Sequence, residues 1–220
     1  MIVDGWFDWA ARRIGPPEKV NSGVNPVSGL VCHSADGFEG GLWAQLANAP
    51  VSWHLTNLFD GSLYQHYPLT ARCWHATAFN QAYVGIEHEG RGSVPLTPAQ
   101  VATTKRVIDE LAAWKGWEPK RPAAKGDLTA TLYEHREVIW FGGTATACPS
   151  GRIPWDLLLE EDELTEEQQR LIDDREGRVV LDHLLVKHFN TRLSPAKNYV
   201  IIYDPVSQIT QASIPVPSLP

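Results

Sequence analysis

The sequence lacks any long hydrophobic run: nothing in it approaches the roughly 18 consecutive apolar residues that a membrane-spanning helix requires. It also lacks an excess of positive charge, because 19 Lys and Arg stand against 26 Asp and Glu, for a formal net charge of −7. Proteins that bind nucleic acid usually present a basic face. We therefore expect a protein that acts neither within a membrane nor on nucleic acid.

Cysteine is scarce as well, with only Cys32, Cys73 and Cys148 in 220 residues. An odd number of widely spaced cysteines predicts no disulfide framework and is typical of a reducing compartment. No Cys-x-x-Cys pair is present, which excludes a structural zinc finger. The first residues, MIVDGWFDWAARR, show no basic leader followed by an apolar run, so we expect no secretory signal.

The residues that are present predict alternating strands and helices. Residues 1–14 are expected to form a short amphipathic helix that ends before the prolines of GPPEK. VSGLVCHS and AYVGIEHEG are typical of buried strands, and Asp60-Gly61 predicts a hairpin between two further strands. LTPAQVATTKRVIDELAAWKGW predicts a long helix that begins with a capping box of Thr97 and Gln100. We therefore expect an α/β fold with a mixed central β-sheet flanked by helices.

A change in composition near residue 160 predicts two parts, residues 1–162 and residues 163–220. In the second part, LEEDELTEEQQRLIDDREG and VVLDHLLVKHF predict helices. NYVIIYDP predicts a strand, and the proline-rich SIPVPSLP an extended tail. We expect a small, mostly helical extension that braces the larger domain or forms a homodimer contact.

Four segments carry groups able to bind a metal or transfer a proton: His33, His75, Glu87 and the pair His135/Cys148. Three protein ligands and one open position are how a catalytic zinc is usually held, and His and Cys both suit zinc. An isolated histidine at a strand end is more often a hydrogen-bonded core residue, and an isolated cysteine a small buried hydrophobe. Spacing alone leaves both interpretations open.

Four motifs in a fixed order resemble the zinc-dependent N-acetylmuramoyl-L-alanine amidases, whose fold is shared by amidase-type phage lysins and peptidoglycan recognition proteins. The motifs are CHSAD, VSWHLTNLFDGSLYQ, WHATAFNQAYVGIEHEG and EHREV…TACPS, and they span roughly residues 28–158. The resemblance implies that His33, His135 and Cys148 hold a zinc ion. It further implies that Glu87 acts as the general base, and that His75 and Thr146 stabilise the oxyanion of the transition state.

The same resemblance implies a substrate cleft formed by Trp53, His54, Trp74 and Asn80. Two positions depart from patterns found in the family. Trp53 stands where some lysins have a catalytic tyrosine, and an indole cannot donate a phenolic proton. Thr146 stands where a lysine is frequent, so the oxyanion would receive a hydrogen bond without a positive charge.

The function implied is hydrolysis of the amide bond between N-acetylmuramic acid and L-alanine in bacterial peptidoglycan. With reduced cysteines and no leader, we expect a bacteriolytic phage lysin made in the host cytoplasm that acts on the cell wall after release. Besides a brace or a homodimer contact, the C-terminal extension of such a lysin could target the protein to the cell wall. The alternatives are a cytoplasmic muropeptide-recycling amidase, a non-catalytic peptidoglycan-binding module of the same fold, and a cysteine peptidase using Cys148 with His135.

Overall fold

The structure, a computed structural model, describes residues 1–92, 94–160, 190–193, 199–203 and 210–215. The chain forms two compact units, Met1–Glu160 and Glu161–Pro220, and each is described by itself. Within the described residues, no helix has the length and apolar character needed to cross a bilayer.

The larger unit is built on a mixed β-sheet, as the sequence predicts. Its described strands are β1 (Ile2–Val3), β2 (Trp6–Phe7), β3 (Ala11–Arg12), β4 (Val20–Asn21), β5 (Gly29–Ser34), β6 (Leu55–Asn57), β7 (Leu63–Gln65), β8 (Arg72–Cys73), β9 (Tyr83–His88) and β10 (Leu132–Glu134). Among the described residues, six strands form the main sheet in the order β10-β5-β9-β6-β7-β3. Strands β10, β5, β9 and β6 run parallel, whereas β7 is antiparallel to β6. The predicted strands and the Asp60-Gly61 hairpin are confirmed.

Helices cover the sheet. They are α1 (Glu39–Asn48), α2 (Pro98–Lys115) and α3 (Trp155–Leu159), with short 3-10 helices η1 (Pro17–Lys19), η2 (Thr77–Phe79) and η3 (His135–Phe141). Successive side chains of a strand point to opposite faces of the sheet. Leu30, Val84 and Leu132 therefore share one face, where they pack in the core cluster that contains Ile108 of α2. Val31 and Tyr133 lie in a second cluster on the other face.

Helix α2 begins and ends as its sequence predicts. The Thr97 side chain accepts a hydrogen bond from Gln100 N, and the Gln100 side chain accepts one from Thr97 N. The helix ends at Lys115, and the next residue, Gly116, has a φ of 69° in the left-handed region that glycine tolerates best. The predicted capping box is confirmed.

One prediction for the N-terminal part of the chain needs correction, and one helix there was missed. Residues 1–14 form strands β1–β3 instead of an amphipathic helix, because Asp4 and Gly5 both adopt positive φ and turn the chain into a hairpin. Asp-Gly is the same signal that marks the hairpin at residues 60–61. Helix α1 was not predicted, since its first turn contains two glycines and no side chain caps its N-terminus.

The described residues of the smaller unit form a three-stranded antiparallel sheet. Its strands are β11 (Asn190–Leu193), β12 (Tyr199–Tyr203) and β13 (Thr210–Pro215). Strand β12 confirms the strand predicted in NYVIIYDP. The two helices predicted between residues 159 and 189 lie almost wholly outside the described residues, so the expectation of a mostly helical extension stays a prediction.

The capping box at α2 gives the first testable prediction. Replacing Thr97 with alanine removes the acceptor for Gln100 N and is expected to cost about 1 kcal/mol of unfolding free energy. For a chain of this size, that loss corresponds to a Tm lower by roughly 2–4 °C in thermal denaturation. Thr97→Ser keeps the hydroxyl and should retain most of the stability. An alanine variant as stable as the serine variant would contradict the role of the cap.

Candidate active site

The site begins at the carboxyl ends of the central parallel strands. His33 on β5 is paired in register with Glu87 on β9, so both side chains point to the sheet face opposite α2. His135 directly follows β10, which pairs with β5 on its other side. Parallel strands end at the same edge of a sheet, where open α/β sheets usually bind ligands. This topology places His33, Glu87 and His135 close together.

Hydrogen bonds to two segments far away along the chain hold Cys148 at the same edge of the sheet. Arg136 N donates to the Cys148 carbonyl at 2.7 Å, which joins the cysteine to the residue after His135. Ser34 N donates to Cys148 Sγ at 3.1 Å, which joins it to the residue after His33. As a result, one ligand atom each from His33, His135 and Cys148 lies within 4.8 Å of the others. The structure thus brings together the three residues that the sequence resemblance implies as ligands.

The ionisation of these residues suits a metal centre. Burial lowers the pKa of His33 well below its usual value and also lowers that of His135, so both rings are neutral at pH 7. Burial raises the pKa of the Cys148 thiol to about 12. A neutral imidazole is the form that binds metal, whereas a thiol must lose its proton, which a cation favours. Cys148 therefore lacks the depressed pKa that a metal-independent nucleophile requires.

Glu87 is a buried carboxyl group, and one of its two oxygens has no hydrogen-bond partner among the described residues. Its Oε1 lies 3.8 Å from His33 Nδ1, and its side chain is 16% exposed. Its Oε2 is buried and has no hydrogen-bond partner among the residues that the structure describes. Burial raises the pKa of Glu87 to about 8, although the charge of Arg152 opposes this shift. A buried carboxyl with a free oxygen and a raised pKa, beside candidate metal ligands, is typical of a general base.

Arg152 supports the site and was missed by the sequence analysis. Its side chain is almost fully buried, and its guanidinium donates to Ser34 Oγ at 2.8 Å, to the Glu89 carbonyl at 2.8 Å and to the Val94 carbonyl at 2.6 Å. These bonds tie the segment after Cys148 to the ends of β5 and β9. A single sequence offers no signal for such a residue, since all of these acceptors lie at least 58 positions away from Arg152 along the chain.

His75 lies beside His33, but both of its ring nitrogens already have protein partners. Nδ1 is 3.1 Å from His33 Nε2, and Nε2 is 3.1 Å from the Tyr83 carbonyl oxygen. The predicted role of His75 in oxyanion stabilisation therefore needs correction, because no ring N–H remains to donate to a substrate. Asn80 holds this segment in place, since its Oδ1 accepts from both His75 N and Ala76 N. Contact of Asn80 with substrate stays a prediction.

The structure places Trp53 and His54 in the core instead of a substrate cleft. Trp53 is 2% exposed, and its indole Nε1 donates to Thr56 Oγ1 at 2.7 Å. His54 has no exposed surface and is held between Gly85 N and the Ala71 carbonyl. The expectation that these residues contact substrate is corrected, because a side chain without exposed surface offers nothing to bind. Trp74 is half-buried, and its contact with substrate stays a prediction.

An open cleft of about 470 Å³ adjoins Cys148. It is lined by Ser34, Asp36, Arg91, Gly92, Thr146, Ala147, Cys148 and Ser150. Thr146 Oγ1 accepts a hydrogen bond from Cys148 N at 3.1 Å, so its hydroxyl proton is available to the cleft. Asp36 and Arg91 were not singled out from the sequence, because only the fold brings them beside the cysteine.

Comparison with known proteins agrees with this geometry. Residues 23–151 match the sequence profile of the family described as N-acetylmuramoyl-L-alanine amidase. A curated relative, N-acetylmuramoyl-L-alanine amidase A from Achromobacter lyticus, is 31% identical over 106 residues, and the match covers 42% of this chain and 60% of that protein. The chain thus spans less than two thirds of the length of this relative.

Two solved structures have the same fold. The Staphylococcus aureus hydrolase AmiA matches with a TM-score of 0.56 at 18% identity, over 68% of this chain and 78% of that chain. The N-acetylmuramoyl-L-alanine amidase LysC from Clostridium intestinale URNW matches with a TM-score of 0.51 at 16% identity, over 68% of this chain and 93% of that chain. At such identities, the likeness establishes the fold of the larger unit.

Proposed function

Because the chain belongs to the N-acetylmuramoyl-L-alanine amidase family, we propose that it hydrolyses the amide bond between N-acetylmuramic acid and L-alanine in peptidoglycan. One observation carries the proposal: three ligand-capable side chains converge beside a buried carboxyl group with a free oxygen. A binding module has no need for that carboxyl group, since burying it costs free energy that binding does not recover.

The converging residues fit a zinc ion. Two neutral imidazoles and a thiol match the donor types that zinc prefers, and three ligands leave a fourth position for water or substrate. The free Oε2 of Glu87 gives that carboxyl group an acceptor for a proton on such a water. When bound, zinc supplies Lewis acidity, which lowers the pKa of water from about 16 towards 7 and polarises an amide carbonyl.

The chain's own residues would handle the protons. The ionised form of Glu87 would be favoured beside a bound cation, and its carboxylate would then accept the proton of the attacking water and later deliver it to the alanine nitrogen as the C–N bond breaks. The Thr146 hydroxyl, which faces the cleft next to Cys148, donates a hydrogen bond to the developing oxyanion. Arg152 orients Ser34, whose N–H in turn holds the Cys148 sulfur.

Digestion of purified cell walls tests the proposed reaction. We expect turbidity to fall while new N-terminal alanine amines appear in proportion, and mass spectrometry should find muropeptides split between the sugar and the alanine. Walls that bind the protein without releasing alanine amines would instead identify a non-catalytic module. Heat-denatured protein and walls already cleaved at this bond are the controls.

A second substrate separates the two cellular roles within this activity. We propose a lysin that cuts polymeric wall; the three free cysteines are typical of a reducing compartment and support its synthesis in the cytoplasm. Faster release of alanine amines from intact walls than from soluble muropeptides, at equal bond concentration, supports a lysin. The opposite order would identify a muropeptide-recycling amidase.

A further inference from the structure

His75 joins His33 to a fixed backbone carbonyl through two successive hydrogen bonds. The first runs between His33 Nε2 and His75 Nδ1 at 3.1 Å, and the second between His75 Nε2 and the Tyr83 carbonyl oxygen at 3.1 Å. A carbonyl oxygen can only accept, so the proton of this second bond belongs to His75 Nε2.

The position of that proton determines the state of both rings. A neutral imidazole carries one ring proton, so a neutral His75 has that proton on Nε2 and keeps a lone pair on Nδ1. His33 Nε2 must then donate the proton in the bond to His75 Nδ1. Since only a neutral imidazole binds metal, a His33 ring with its one proton on Nε2 has its lone pair on Nδ1, on the side that faces Glu87 Oε1 at 3.8 Å.

The surroundings of His75 leave its ring little freedom to move. A Cβ atom at position 85 would lie 2.6 Å from Cγ of His75, so the ring rests directly on the backbone of Gly85. On the chain itself, Asn80 fixes the backbone N–H groups of His75 and Ala76. The ring also packs edge-on against the fully buried His54, with ring centroids 5.7 Å apart.

We infer that His75 is a positioning residue, which sets the tautomer and orientation of His33 so that His33 Nδ1 presents its lone pair to the metal. Partners that accept from the second nitrogen of a ligand histidine hold its ring and raise its basicity, and their loss typically costs 10–100-fold in metal affinity. The inference rests on the proposed zinc-dependent function. The resemblance implied that His75 lines the substrate cleft, whereas its hydrogen bonds place it between the candidate ligand His33 and the Tyr83 carbonyl.

Two substitutions test which atom of His75 matters. His75→Asn places an amide oxygen near the position of Nδ1, so it keeps an acceptor for His33 Nε2. His75→Gln extends its amide towards Tyr83 and leaves no acceptor beside His33. For the full chain, we expect zinc affinity, measured by competition with a chromophoric chelator, to stay within about 3-fold of wild type in the Asn variant. It should fall by about 10–100-fold in the Gln variant. Equal affinities in both variants and wild type would overturn the inference.

Nuclear magnetic resonance of the unsubstituted, zinc-free protein gives an independent test that does not depend on how the variants fold. Nitrogen-15 shifts of the two rings should show a protonated Nε2 and an unprotonated Nδ1 in both His33 and His75. A proton on His33 Nδ1 would overturn the inference. A wild-type protein that binds no zinc at all would instead contradict the proposed function.

Discussion

Replacing Glu87 with glutamine is expected to lower kcat by about 100-fold or more while zinc content stays at about one ion per chain. Glutamine has the shape of glutamate, but its amide cannot accept the proton of the attacking water. The substitution leaves His33, His135 and Cys148 in place, so ligand geometry should not change. Amine release from cell walls gives kcat and KM, and elemental analysis gives the zinc content. Turnover near that of wild type would remove Glu87 from the mechanism.

The stability of the zinc-free variant shows whether it is folded. Burial raises the pKa of Glu87 from 4.5 to about 8, so the carboxyl group loses its proton less readily in the folded chain than in the unfolded chain. The contribution of Glu87 to the free energy of unfolding is therefore greatest below pH 4.5, and it is lost as the pH rises through about 8. Zinc-free Glu87→Gln should consequently exceed wild type in Tm at about pH 9 by more than at about pH 5.

Glu89→Gln is the matched control for this experiment. Glu89 is a buried carboxylate two residues further along the chain, and its two oxygens accept from the backbone N–H groups of Glu39 and Phe59. Within the described residues, neither of these hydrogen bonds involves a candidate ligand. We expect the control to lose about 1–3 kcal/mol of stability, because the amide nitrogen cannot accept from a donor. Its turnover should change little.

Removing zinc with a chelator is expected to abolish at least about 99% of the activity, and one equivalent of zinc should restore it. Cys148→Ser should weaken zinc binding strongly, since a neutral hydroxyl is a much poorer ligand than a thiolate. Cys73→Ala is the matched control: it removes a buried thiol outside the site and should retain both zinc and activity. Elemental analysis of each variant checks the metal content directly.

Chelator treatment also distinguishes the zinc amidase from a cysteine peptidase. Because burial holds the pKa of Cys148 at about 12, we expect the zinc-free thiol to react with iodoacetamide more slowly than free cysteine does. Full activity in excess chelator, with loss only upon alkylation, would contradict the zinc mechanism and favour the peptidase.

The resemblance to the amidase family implied the candidate ligands, whereas the strands and the helix start beside them could be predicted from short local motifs. VCHS places a histidine at the end of an apolar run, and the capping box of α2 is complete within four residues. Signals of this kind are local, since a strand or a helix start depends on neighbouring residues. Residues 1–14 show the limit, because the Asp4-Gly5 turn outweighed a pattern of apolar residues that also suits a helix.

The roles of the other site residues could not be predicted in the same way. Trp53, His54 and His75 belong to the motifs that carry the resemblance, yet the first two are buried and the third is bonded to His33. Arg152 lies in no motif, although its guanidinium ties three segments together. Each role depends on partners that lie far away along the chain.

The sequence by itself determined the family, the central strands and the side chains able to bind zinc, because these depend on residue type and local pattern. Only the tertiary structure decided which histidines lie beside Cys148, which lie in the core and which is hydrogen-bonded to a candidate ligand. The reason is physical: hydrogen bonds and burial are set by side chains that meet only once parallel strands bring their ends to one edge of the sheet.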